Sequence, residues 1–82
     1  MIELFNRLLE KHGSRLRLVE CQSGYLRFKL GPFKEYEFSQ ANGGSMRAEE
    51  RVKGNDWKPT ASAAWLLRVA QGQTRDNEGN VA

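Results

Sequence analysis

The chain has 82 residues, 39% hydrophobic and 28% charged, with a net charge of +3. That is enough for one domain with one modest core, burying roughly 60 to 65% of the surface the unfolded chain exposes, and it argues against disorder throughout. The lone cysteine, Cys21, excludes an intrachain disulfide, and with the lone histidine, His12, it falls short of a four-ligand zinc site.

Residues 2 to 12 read as an amphipathic helix, with Ile2, Phe5, Leu8 and Leu9 on one stripe and Leu4 at its edge. Glu3, Arg7, Glu10 and Lys11 take the other side, Glu3 and Arg7 being four apart in the favourable order. Gly13 suits a left-handed C-terminal cap. Glu3 and Glu10 interrupt the apolar pattern, so this segment does not read as a signal peptide, and no stretch approaches the roughly 18 apolar residues that span a bilayer. The expected location is cytoplasmic.

Arg15-Leu16-Arg17-Leu18 alternates cleanly, leucines to one face and arginines to the other, as a strand requires. Val19 and Cys21 reverse the phase, which predicts a bulge or strand end there. Ser23-Gly24 is a turn signal, and Tyr25 to Leu30 alternates again with Leu26, Phe28 and Leu30 inward. Gly31-Pro32 makes the next turn. Residues 33 to 39 form a third strand, with Tyr36 and Phe38 on one face and Glu35 and Glu37 on the other. Asn42-Gly43-Gly44 closes another hairpin, and residues 45 to 52 suit a fourth strand, inward at Met46 and Ala48, except that Glu50 breaks the pattern. A loop over 53 to 59 leads to a second helix from about Ala61 to Gln71, capped by Thr60 or Ser62 and stopped by Gly72. The fold class is therefore α+β: an N-terminal helix, a three- to four-stranded antiparallel sheet and a C-terminal helix packed on one face. Residues 1–72 make the single domain, and 73–82 read as a flexible tail.

No catalytic constellation is complete. Cys21 and His12 lack a third group and a linking motif, and Cys21 reads better as a small buried hydrophobe. Glu49, Glu50 and Asp56 are not spaced as a calcium loop, and Asn42-Gly43-Gly44-Ser45 lacks the lysine and following helix of a phosphate loop. The chain is expected to be non-enzymatic, without metal or cofactor.

Two surfaces compete for a binding role, the apolar second helix as the leading reading and a basic sheet face as the alternative. The second helix is apolar nearly all round, with Arg68 its one charge. Trp65, Leu66, Leu67 and Val69, joined by Trp57 from the preceding loop, would dock a partner protein or a second copy, as a small regulator or inhibitor does. Trp57 reads equally well as a lid on the core. The other surface is basic: residues 1 to 34 hold seven basic against three acidic residues, whereas 35 to 82 hold six against seven. Arg15, Arg17, Tyr25, Arg27 and Lys29 should project from one sheet face and could contact nucleic-acid phosphates and stack a base. Glu35 and Glu37, expected opposite Lys29 and Arg27, would neutralise part of it.

Leu8-Leu9-Glu10-Lys11-His12-Gly13 followed by Leu16-Arg17-Leu18 resembles the leucine-rich first helix, Lys-x-Gly end and basic first strand of double-stranded-RNA-binding-like domains, including HicA-type toxins. The resemblance implies a helix, a meander and a helix. Ser23-Gly24-Tyr25 stands where the HicA pattern carries its catalytic histidine, so ribonuclease activity is not implied. Lys58, Pro59, Thr60, Ala61 and Ser62 hold a single lysine where double-stranded-RNA-binding domains cluster several.

Overall fold

The computed structural model describes residues 1–41 and 43–72; the expected tail over 73–82 lies outside them, as does Asn42 of the hairpin turn. In chain order the elements are α1 (Ile2–His12), a single 3-10 turn (Gly13–Arg15), β1 (Leu16–Gln22), β2 (Tyr25–Leu30), β3 (Lys34–Gln40), β4 (Met46–Val52) and α2 (Ala61–Ala70). The four strands form one antiparallel meander in the order β1-β2-β3-β4. Both helices lie on the same face, α1 over β1 and α2 over β3 and β4. The fold is α+β, as the periodicities require. Among the described residues no helix is long and apolar enough to cross a membrane.

The inward residues are those that alternation selects. Leu16, Leu26, Phe28, Tyr36 and Phe38 from the sheet meet Phe5 and Leu8 of α1 and Ala63, Leu66, Leu67, Val69 and Ala70 of α2 in one core. Phe28 is its centre, with Phe5, Tyr36 and Phe38 ring centroids at 6.0, 5.6 and 5.3 Å. Edge-to-face and offset geometries at such distances add about 0.5 to 1.5 kcal/mol per pair beyond area burial.

Glu50, the residue that breaks the apolar pattern of β4, does face inward, opposite Tyr36. The Tyr36 hydroxyl donates to its carboxylate at 2.5 Å, which gives the buried hydroxyl a partner. Burial first, and then the adjacent Glu50 carboxylate, push the Tyr36 hydroxyl pKa well above its ordinary value.

The phase reversal in β1 is a bulge. Leu18 pairs with Phe28 and Glu20 with Arg27, leaving Val19 as the extra residue. Gly13 ends α1 with positive φ, at φ 54° and ψ −126°, and so departs from the left-handed helical cap expected of it. The chain turns there into the 3-10 turn that aims Leu16 into the core. Thr60 caps α2, its hydroxyl oxygen accepting from the Ala63 N–H at 3.0 Å. Arg7 reaches past its helix neighbour Glu3. Its Nη1 donates to the Ala70 carbonyl at 3.1 Å, fastening α1 to the C-terminal end of α2, where a cation suits the helix dipole.

Candidate nucleic-acid interface

With the helices on one face, the opposite face of the sheet stays polar, and strand parity puts Arg17, Tyr25, Arg27, Lys29, Glu35 and Arg51 there. Register sets Lys29 opposite Glu35 and Arg27 opposite Glu37, as expected from the short turn at Gly31-Pro32. Lys29 is nevertheless not the ion-pair partner of Glu35: Arg27 reaches it diagonally and Arg51 directly across from β4. Arg27 Nε donates to Glu35 Oε2 at 2.5 Å, and Arg51 Nη2 donates to Glu35 Oε1 at 2.6 Å. Glu37 instead accepts from the Tyr25 hydroxyl at 2.5 Å. Tyr25 and Arg27, two of the five expected contact residues, are thus engaged within the face.

Glu35 is only 6% exposed, the one buried charged residue among those described. Burial on its own would raise its pKa, but the hydrogen bonds from Arg51 and Arg27 outweigh that and hold it below the ordinary carboxylate value. Trp57 covers this trio. The Arg51 guanidinium lies 4.7 Å from its ring centroid and that of Arg27 lies 6.0 Å away. Backbone bonds in both directions between Glu50 and Lys58 pull residues 56–60 along β4 and bring Trp57 to this side.

The two tryptophans therefore lie on opposite faces of the sheet. Trp57 stacks on arginines outside, and Trp65 meets His12 edge-on inside, ring centroids 6.5 Å apart. They do not make one patch, and Trp57 lids the polar cluster rather than the core. Leu66, Leu67 and Val69 are 3%, 8% and 4% exposed, so the apolar faces of α2 are covered by the chain's own sheet and first helix. A helix apolar all round is one that the fold surrounds.

Further cations gather at one end of the outer face, while Arg47, opposite Ser39, lies toward the other. Lys29, Lys34, Arg51 and Lys53 line a cleft of about 540 Å³ with Pro32, Phe33 and Glu35. Arg15, Arg17 and the same Lys29 line an adjoining cleft across Gly31 and Pro32. The Lys53 N–H donates to the Phe33 carbonyl at 2.9 Å, and the Gly31 N–H to the Arg15 carbonyl at 3.0 Å, so three separate segments are tied at this corner. Among the described residues Arg15, Arg17, Lys29, Lys34 and Lys53 join no ion pair. Glu35 is the one acidic residue lining either cleft, and two arginines already neutralise it. Phe33 lines the first cleft at 61% exposure, the most exposed large apolar side chain described. No family model, curated protein or solved structure matches the chain.

Lys34, Lys53 and Phe33 were not among the residues the sequence marks for this role. Lys34 has inward parity and Lys53 sits in a loop: the β2–β3 hairpin sets Lys34 beside Lys29, and closure of β3 on β4 brings Lys53 there. Arg15, Arg17 and Lys29 stay in the site; Tyr25 and Arg27 support it from within the face.

Proposed function

We propose that the chain is a non-enzymatic binding module that holds single-stranded nucleic acid at the basic corner of its outer sheet face. Lys29, Lys34 and Lys53 on one side, and Arg15 and Arg17 on the other, take backbone phosphates, while Phe33 stacks a base. The observation that carries this reading is a pair of adjoining clefts that share Lys29, hold five cations free of ion pairs among the described residues, present the exposed Phe33 in one of them, and are lined by a single described carboxylate that two arginines neutralise. Counterion release from phosphates and base stacking on an aromatic are the two contributions that sequence-tolerant strand binding needs. The alternative, a partner protein docked on Trp65, Leu66, Leu67 and Val69, has less support, because three of the four are buried. A cytoplasmic setting, where a lone thiol such as Cys21 stays reduced, belongs to the same proposal.

The test is fluorescence anisotropy with labelled single-stranded and duplex oligonucleotides of one sequence. Single strands should bind at about 50 mM salt, with affinity falling steeply as salt rises. A Lys29→Ala/Lys53→Ala double variant should flatten the slope of log K against log salt by about 1.4, at about 0.7 for each lost phosphate contact. Phe33→Ala should weaken single strands by about 1 to 3 kcal/mol and leave the slope unchanged. Absence of binding at low salt rules the reading out.

A further inference from the structure

The geometry points to a second function of the fold, pairing with another copy of this chain along the open edge of β1. The two sheet edges are unequal. β4 is covered by the Glu50–Lys58 backbone bonds, whereas β1 has no strand on its outer side among the described residues. That open edge is also where apolar surface collects. Leu18 and Val19 of β1 are 42% and 41% exposed. On α1, Arg7 points to α2, and Ile2 and Leu9 sit ~140° and ~160° around the helix from it, on the flank away from α2. These two are 44% and 37% exposed, so four of the six exposed large apolar side chains share this side.

The occupant follows from the charge order of β1. The bulge at Val19 puts Arg17 and Glu20 on the same face although they are three residues apart, a spacing that would place them on opposite faces of a regular strand. About the Leu18–Val19 midpoint the strand is then palindromic in chemistry. An antiparallel copy sets Arg17 against Glu20 of the second copy, Leu18 against Val19, and Leu16 against Cys21, with each pair repeated by the two-fold axis. The result is an eight-stranded sheet with apolar side chains from both copies of α1 meeting beneath the junction, and with the Lys29–Lys53 clefts at opposite ends of it. A strand from an unrelated protein would have no reason to match this charge order.

Sedimentation equilibrium over a range of concentrations, without nucleic acid, tests it. The native chain should dimerise. Arg17→Glu alone and Glu20→Arg alone each create two like-charged pairs and should weaken the dimer roughly tenfold or more, and the Arg17→Glu/Glu20→Arg double variant should restore it. Val19→Lys, a charge on the bulge that leaves the core untouched, should give a monomer with native circular dichroism. A native chain that is monomeric throughout, or a dimer whose strength ignores both single charge reversals, overturns the proposal. Neither result bears on Lys29, Lys34 and Lys53 of the basic corner, which are read by oligonucleotide binding, whereas Arg17 is shared by the two surfaces.

Discussion

Glu35→Gln separates what stabilises the outer face from what the face binds. The Glu35 side chain is 8% exposed and receives charge-assisted hydrogen bonds from Arg27 and Arg51, each ordinarily contributing about 1.5 to 3 kcal/mol. The guanidiniums are 32% and 35% exposed, so solvent screens part of that, and glutamine keeps one acceptor oxygen. The expected loss is about 2 kcal/mol, which in a domain of this size lowers Tm by roughly 8 to 16 °C. Because the folded-state pKa of Glu35 is depressed, its stabilisation is fully present above the unfolded carboxylate value of about 4.3 and disappears as pH falls through the lower folded value. The stability gap between wild type and variant should therefore be flat near neutral pH and shrink below about pH 4. Binding should move the other way. Removing one negative charge at ~8 Å from a bound phosphate, in a water-like dielectric, contributes about 0.5 kcal/mol, or roughly twofold tighter binding. Thermal melts across pH, read beside anisotropy at fixed salt, check both halves. A folded variant that binds the oligonucleotide more weakly than wild type refutes the electrostatic account of the corner.

Other outcomes follow from the same packing. Phe28→Ala should cost about 3 to 5 kcal/mol by urea unfolding, a large part of the total stability of so small a domain, since Phe28 is fully buried among three aromatic rings. Thr60→Ala should cost about 1 kcal/mol in the same assay, through loss of the cap on α2, without affecting oligonucleotide binding. Glu50→Leu should cost more than Tyr36→Phe, because it leaves the Tyr36 hydroxyl buried without its acceptor, whereas Tyr36→Phe leaves a carboxylate at the sheet edge; calorimetric melts of the two variants decide the order.

Much of the fold is legible from periodicity. Alternation of Leu26, Phe28 and Leu30 against Arg27 and Lys29 dictates faces, and the reversal at Val19 announces the bulge. The short turn at Gly31-Pro32 is enough to set Lys29 opposite Glu35. What alternation does not carry is which neighbour wins a charge. Glu35 prefers the diagonal Arg27 because Arg51, arriving on β4, holds its other oxygen and Trp57 lies over both guanidiniums. Nor does it distinguish a helix that the domain surrounds from one that awaits a partner: Leu66, Leu67 and Val69 have the same pattern in either case, and only the placement of α1 and the sheet around them decides. Lys53 joined the site through closure of the β3–β4 pair, a long-range event with no local signature, whereas Lys34 was hidden by its inward parity in the β2–β3 hairpin. Glu50 looked like an interruption because its partner, Tyr36, lies fourteen residues away.

The central claim is that the basic corner, and not the second helix, is the binding surface. Backbone amide chemical shifts of the isotopically labelled chain, followed during titration with a single-stranded oligonucleotide, test it most directly. Perturbations should concentrate at residues 15–17, 29–35 and 51–55, with those of Ala61–Ala70 unmoved; shifts centred on that helix, or none anywhere at about 50 mM salt, would contradict it.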